Sequence, residues 1–300
     1  MQPSGQDTTA MITPSRFAGK TIVVTGAASG IGRATALAFA GEGGIVFAAD
    51  IDTDGLAATA AASNGEIHTH VTDVTRTEDI RALMDRAAAQ TGGIDVVFNN
   101  AGAGGDRAPI DQIDPAGWDR TMDLLLRSVA FGIRYAVPHM KGRASTRTGG
   151  AAIINTSSVA AIGPGYSPSA YAVAKAGVLH LTKVAATDLA QYGIRVAAVQ
   201  PGFINTNIFT RALDMTGDTE TMAKAAIAQM SQAAQPVARG GQPQDIAQTV
   251  LFLASEAAGF VTGTSLIVDG GLTVGPRHSW DPASPGLFDA LEQMAAAPKA

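Results

Sequence analysis

The chain predicts an α/β fold built on one parallel sheet with helices on both faces. Three observations predict it. Short, continuously apolar and largely β-branched runs alternate with helix-period segments from about residue 20 to residue 268. Continuous apolar runs suit strands that are buried on both faces, as in parallel sheets. No composition shift of linker type divides the interior of the chain.

Residues 1–18 are polar, rich in Pro, Ser and Thr, and read as a mobile N-terminal tail. The first strand is 20–25, KTIVVT. The turn Gly26-Ala27-Ala28-Ser29-Gly30-Ile31-Gly32 follows, and 33–40 reads as helix. A second strand, 45–49, ends at Asp50, and an alanine-rich helix spans about 54–62. The third strand, 67–71, ends near Asp73, before a helix at 78–90. The fourth strand, 94–98, runs into Asn99-Asn100-Ala101-Gly102, and 118–140 reads as one long helical stretch. The fifth strand is about 151–156, followed by a Gly/Pro/Ser loop and a helix from about Ser169 to Tyr192. The sixth strand, 194–200, ends at Pro201-Gly202. Residues 207–235 read as helical in part and as a lid, 245–255 as helix and 265–268 as a seventh strand. The C-terminal tail, 276–300, carries proline and one short helical pattern at 287–297. Residues 19–275 therefore read as one domain.

Composition excludes several classes of function. The chain has 300 residues, 46% apolar and 16% charged, enough for a substantial core. A net charge of −5 without a long basic block argues against tracking nucleic-acid phosphates. The absence of cysteine removes disulfides, thiolate metal sites and thiol catalysis. No apolar run approaches the length of a membrane span, and no signal-peptide pattern opens the chain, so a cytoplasmic location is expected.

The glycine-rich turn has the context that a dinucleotide site requires. A strand precedes it, a helix follows it, and an acid, Asp50, ends the next strand 24 residues after Gly26. Backbone can approach a pyrophosphate closely at such glycines, with a helix N-terminus facing it. A carboxylate at Asp50 can accept both ribose hydroxyls of an adenosine and repels a 2′-phosphate, which favours NAD over NADP. Arg33, which can bind a phosphate, keeps NADP open as the second choice.

Chemistry enters with Ser158, Tyr171 and Lys175. Tyr171 and Lys175 stand four residues apart and share one helix face. A nearby ammonium favours the phenolate of a tyrosine, whose ordinary pKa of about 10 is too high for proton transfer near neutrality. A serine hydroxyl nearby can hold a substrate oxygen.

Other patterns fail on their spacing. Asp50-x-Asp52-x-Asp54-Gly55 resembles the first half of a calcium loop, but Ala61 stands where its glutamate is needed. Gly19-Lys20-Thr21 resembles the end of a nucleoside-triphosphatase loop, but Pro14 occupies the required glycine position. His68 and His70 share a strand face without an evident third ligand, so no metal site is assigned. The sequon Asn155-Thr156-Ser157 falls on an expected buried strand.

Together these residues resemble the short-chain dehydrogenase/reductase family over about residues 18–275. The resemblance rests on TGAASGIG at 25–32, NNAG at 99–102, Ser158 thirteen residues before Tyr171, the Tyr171-x-x-x-Lys175 pair and Pro201-Gly202. It implies a doubly wound Rossmann-type fold with a seven-stranded parallel sheet, and NAD(P)-linked interconversion of an alcohol and a ketone. It implies that Tyr171 exchanges the hydroxyl proton, Lys175 lowers its pKa and binds a nicotinamide-ribose hydroxyl, and Ser158 holds the substrate oxygen. It places Asp73 and Val74 at the adenine ring, Asn100 and Gly102 along the cofactor, and Ile204 and Thr206 at the nicotinamide carboxamide. Gly26, Ser29, Gly30, Ile31, Gly32, Asp50, Ile51, Ala101, Pro201 and Gly202 complete the implied cofactor site. A homotetramer or homodimer is implied as well.

Two positions depart from the family pattern. Leu125 stands where family members carry an asparagine that belongs to a proton relay through the active-site lysine. Leucine makes no side-chain hydrogen bond, which leaves the helix backbone carbonyl as the relay group. Ala197 stands where an asparagine often follows the IRV run. The expected substrate wall comprises 103–109, 160–166 and 203–230, with Ile162, Tyr166, Phe203, Ile208, Phe209 and Met215, and with Arg107 and Arg211 as its evident cations. These residues suit an NAD-dependent dehydrogenase for a small or medium, mainly apolar secondary alcohol, cyclic or aromatic shapes included. An NADPH-dependent 3-ketoacyl reductase and a nucleotide-binding scaffold without turnover are the alternatives.

Overall fold

The computed structural model describes residues 15–146, 149–208 and 215–296. Its centre is a seven-stranded, wholly parallel sheet in the order β3-β2-β1-β4-β5-β6-β7. The strands are β1 (Thr21–Thr25), β2 (Ile45–Asp50), β3 (Ile67–Val71), β4 (Val96–Asn99), β5 (Ala151–Thr156), β6 (Ile194–Pro201) and β7 (Ser265–Val268). The chain runs outward from β1 to β3, crosses back to β4, and then runs outward the other way to β7. The strand order therefore reverses between β1 and β4, and ligands of such sheets bind at that crevice.

The continuous apolar runs are explained by two cores. On one face Ile22, Val24, Ala48, Phe98, Ile154 and Val199 meet α1 (Gly30–Gly41) and α8 (Pro243–Ala254) through Phe39, Ile246 and Val250. On the other, Val23, Phe47, Val97, Ile153 and Val196 meet α3 (Thr77–Thr91), α5 (Ser128–Ala144) and α6 (Ser169–Leu189) through Leu83, Met84, Ile133 and Val178. Neighbouring residues of β1 thus point into different cores, and both must be apolar. Each large side chain so buried contributes about 1.5–3 kcal/mol.

Helix α2 (Thr53–Ala61) is capped by the Asp52 side chain, which accepts from Gly55 N at 2.9 Å. Helix α4 (Pro115–Met122) is capped in the same way by Asp114 on Gly117 N at 2.8 Å. The expected single helix over 118–140 differs in the structure. It begins at Pro115, extends to Ala144, and is interrupted by a π-helical turn, Asp123–Arg127. The expected helix at 33–40 begins earlier, at Gly30, so the glycine-rich turn feeds directly into α1. Helix α7 (Gly217–Ala234) lies within the expected 207–235 lid, with Ser231 as its buried residue. Helix α9 (Leu287–Ala296) has no buried residue. No described helix is long and apolar enough to cross a membrane.

Candidate active site

The glycine-rich turn lies at the C-terminal end of β1, at the strand-order reversal. Gly26 has φ +71, and a Cβ there would lie 2.9 Å from both Ala101 Cα and Asn100 Nδ2. A Cβ on Gly32 would collide with the Gly26 carbonyl oxygen. These glycines let the turn fold tightly against the Asn100-Ala101 segment after β4. Thr25 completes the joint: its Oγ1 accepts from Asn100 N at 3.0 Å and Ala101 N at 3.1 Å. Asn100 Nδ2 donates back to the Thr25 carbonyl at 3.1 Å. Ser29 is the N-cap of α1 in extended conformation, and its side chain makes no capping bond. The backbone donors at this helix start suit a pyrophosphate, and the cradle without Cβ atoms suits a dinucleotide.

Asp50 ends β2 beside this turn. One carboxylate oxygen accepts from Ala28 N at 3.1 Å and the other from Asp52 N at 3.1 Å. The carboxylate so placed keeps lone pairs for further donors. Ile51 is exposed, and Asp73 is engaged by its own turn, accepting from Thr75 N at 2.9 Å and Thr75 Oγ1 at 2.7 Å. Val74 is buried among Thr25, Asn99, Ala101 and Ser128. Thr206 Cγ2 lies 3.2 Å from where a Cβ on Gly30 would stand, so the segment after β6 reaches the glycine-rich turn. Ile204 is buried and bridges in parallel to Gly241, which leaves its backbone rather than its side chain as the contact group. Arg33 lines a cleft of about 240 Å³ together with Gly30, Asn205, Thr206, Asn207 and Gln244.

Ser158, Tyr171 and Lys175 come together at the ends of β5 and α6. Ser158 follows β5 in extended backbone, φ −168, and its Oγ accepts from Ala160 N at 3.2 Å. The Ser158 side chain lies near enough to the Tyr171 phenol to favour its ionised form. Tyr171 and Lys175 lie one turn apart on α6, whose Ala170, Ala174 and Val178 are buried against the sheet. Ser157 Oγ ties the same turn to β5 by donating to the Lys175 carbonyl at 2.8 Å. Lys175 Nζ donates to the Thr156 carbonyl at 2.8 Å and stands 5.6 Å from the Tyr171 ring centroid.

Burial dominates the electrostatics of the pair. Burial pushes the Tyr171 phenol up, and Ser158 draws it down. Lys175 itself is pushed down to about 8, because its ammonium is buried.

Leu125 is fully buried in the π-helical turn. Its Cδ2 lies 3.0 Å, and Lys175 Nζ 3.9 Å, from where a Cβ on Gly102 would stand. The leucine thus borders the site of the lysine, as its position in the sequence implied. Of the expected substrate wall, Ile162 is 49% exposed and Tyr166 leans on Gly163. Arg107 is exposed, Phe203, Ile208 and Met215 are half-buried, and Phe209 and Arg211 lie outside the described residues. Sequence reasoning missed Thr25 and Gln200. Gln200 is buried and donates toward the Ser158 carbonyl, and its signal is a lone amide within an apolar strand.

The family model described as "Enoyl-(Acyl carrier protein) reductase" matches residues 26–273. The chain belongs to the short-chain dehydrogenase/reductase family. It is therefore an oxidoreductase of a family that uses a nicotinamide cofactor. It is 41% identical, over 86% of its length and 98% of the relative's, to a cis-4-hydroxycyclohexanecarboxylate dehydrogenase of Sinomonas cyclohexanicum. It is 35% identical, over 87% of its length and 98% of the relative's, to a cyclohexanol dehydrogenase of an Acinetobacter species. The crystal structure of levodione reductase superposes with a TM-score of 0.77 at 32% identity, covering 87% of this chain and all of that one. The doubly wound Rossmann-type fold expected from the sequence is thereby shared with a solved family member.

Proposed function

We propose that this enzyme interconverts a cyclic secondary alcohol and its ketone with NAD as cofactor. The observation that carries the reading is the gathering of Ser158, Tyr171 and Lys175 at the end of β5, with the Lys175 ammonium buried and 5.6 Å from the Tyr171 ring centroid. Tyr171 as phenolate takes the proton of the alcohol, and as phenol returns it to the ketone. Ser158 holds the substrate oxygen against Tyr171 and steadies the phenolate. Lys175 presents its remaining donors to a ribose hydroxyl and keeps positive charge near the phenolate.

The residues at the sheet edge suit NAD. Gly26, Ser29, Gly30, Ile31 and Gly32 would hold the pyrophosphate, Asp50 and Ile51 the adenine ribose, and Asp73 and Val74 the adenine. Asn100, Ala101 and Gly102 would line the path to Tyr171 and Lys175, with Pro201, Gly202, Ile204 and Thr206 at the nicotinamide end. When bound, the cofactor supplies the hydride-transfer chemistry, and the chain supplies orientation and the proton. Asp50 supports NAD over NADP, because its carboxylate repels a 2′-phosphate. Arg33 lines a cleft with Thr206 and Asn205, and Asp50 bonds to Ala28 and Asp52. The relatives that act on cyclohexane rings support a six-membered cyclic substrate, consistent with the largely apolar wall. Residues 19–275 form the catalytic domain, with 207–235 as its lid and a tail at each end. A cytoplasmic homotetramer or homodimer completes the reading.

The test is the near-ultraviolet absorbance of reduced cofactor in a panel of cyclohexanols, hydroxycyclohexanecarboxylates, linear secondary alcohols and 3-oxoacyl thioesters, with NAD and NADP in parallel. NAD-linked oxidation of cyclic alcohols is the expected result. NADPH-linked reduction of the thioester as the fastest reaction identifies a ketoacyl reductase instead. Cofactor binding without any turnover identifies a scaffold.

A further inference from the structure

The backbone ladder that positions Ser158 runs out one residue before it. In β6, Val199 faces β5, because its carbonyl accepts from Ser157 N at 2.8 Å. Two residues on, Pro201 faces the same neighbour and has no N–H to donate. The N–H that proline lacks would have met the Ser157 carbonyl, so the ladder between β5 and β6 ends at Ser157 and Ser158 lies beyond it. A side chain of β6 reaches Ser158 instead. Gln200 is 2% exposed, and its Nε2 donates to the Ser158 carbonyl at 3.4 Å. Its other end is held firmly: Ser265 Oγ, at the start of β7, donates to Gln200 Oε1 at 2.7 Å. A buried amide oriented from both ends is costly to disturb, since either group left unpaired pays its desolvation.

We propose that Gln200 is a positioning residue for catalysis, which fixes the main chain of Ser158 from the edge strand β7 and so aims the serine hydroxyl at Tyr171. The inference rests on the alcohol dehydrogenase reading for its kinetic consequence, but not for the anchoring itself. It predicts a chain of dependence from Ser265 through Gln200 to Ser158. Gln200 acts here through its bonds to Ser158 and Ser265. Its loss should lower turnover and leave the binding of NAD alone.

The experiment compares wild type, Gln200→Met, Ser265→Ala and the double variant in the full chain. Methionine keeps the length of glutamine and removes both hydrogen bonds. The expected result is a kcat about tenfold lower for Gln200→Met, with KM for NAD within about twofold of wild type. Ser265→Ala should lose about threefold, and the double variant no more than Gln200→Met alone, because both act through one side chain. Hydrogen exchange measured on peptides covering residues 155–162 should quicken in Gln200→Met, with wild-type exchange in α1 and α3. An unchanged kcat, or losses of Gln200→Met and Ser265→Ala that simply multiply, overturns the proposal. So does exchange that quickens throughout the sheet, which marks Gln200 as general core. If the wild type turns over no alcohol, the functional reading has failed, and the exchange experiment alone decides the anchoring.

Discussion

Lys175 donates from Nζ to the Thr156 carbonyl oxygen at 2.8 Å while only 3% exposed, so the site carries a buried ammonium held by a neutral acceptor. No carboxylate pairs with it among the described residues. Burial lowers its pKa from the ordinary 10.5 to about 8.

That shift has a sign for stability. Below pH 8 the folded chain keeps a charge that burial disfavours. Between about pH 8 and 10.5 the unfolded chain binds the proton that the folded chain has released, so the contribution of this group to stability rises with pH. The penalty at neutral pH is about 3 kcal/mol, offset by about 1 kcal/mol from the Thr156 bond. Lys175→Met should therefore abolish turnover and yet unfold about 2 kcal/mol later in denaturant at pH 7. The advantage should shrink across pH 8–10.5. A gap between the two proteins that is constant over this range contradicts the account.

Tyr171→Phe removes the proton carrier and should lower kcat by about a thousandfold, within the usual range for general acid–base groups. Ser158→Ala should also raise the apparent pKa of the Tyr171 step, because Ser158 is what draws the phenol down against burial. A pH–rate profile for alcohol oxidation reads this as a limb moved to higher pH. NAD binding, followed by protein fluorescence quenching, should survive both changes.

The legible parts of the molecule are those whose physics is local. The apolar runs at β1, β2 and β5 are legible because strands buried on both faces are mainly apolar on both. The glycine-rich turn is legible because a Cβ at Gly26 or Gly32 has no room. The Tyr171–Lys175 pair follows from one helical turn. The π-helical turn at Asp123–Arg127 was not legible, because Leu124, Leu125 and Leu126 suit an ordinary helix equally well. The direction of the Tyr171 shift was not legible either. It depends on how much solvent the folded site excludes, which spacing does not encode. Gln200 needed the sheet order, since its partners come from β7 and the end of β5.

Asp50 should decide between the two cofactors. Asp50→Ala removes the carboxylate that faces the turn and also frees Ala28 N, its partner at 3.1 Å. The specificity constant kcat/KM for NAD should fall by about ten- to a hundredfold, the worth of hydrogen bonds to a charged group. The ratio of NADP to NAD efficiency should rise by at least about tenfold as the repulsion of a 2′-phosphate disappears. A ratio that stays the same places the discrimination elsewhere.

Arg195 tests the frame around the site. Its guanidinium is buried and donates to the carbonyls of Gly149, Leu253, Val261 and Ser255. These lie at the end of α8 and in the loops beside it, where a cation also meets the negative end of the helix. Arg195→Met leaves those carbonyls without their donor and should cost about 3–5 kcal/mol in denaturant unfolding. Cofactor affinity should stay near wild type, since the glycine-rich turn lies on another edge of the core.

Leu125→Asn addresses the departure from the family pattern. A broken relay predicts that the asparagine restores a large rate, about a hundredfold. The geometry argues for a smaller change. The π-helical turn is present with leucine in place, and such turns shift the i→i−4 bonding of a helix by one residue. The backbone at this point is therefore already reshaped without an asparagine, and a backbone carbonyl can serve as the relay group. Leu125 is fully buried, and its Cδ2 lies 3.0 Å from the Cβ position of Gly102, so an amide there enters apolar surroundings. The variant should change kcat by less than about tenfold and lose about 2 kcal/mol of stability through the buried amide and the lost leucine packing. Steady-state kinetics with the cyclic alcohol, beside urea unfolding, measures both. A gain of a hundredfold would show that the relay is broken in the natural sequence, and that the leucine limits the enzyme.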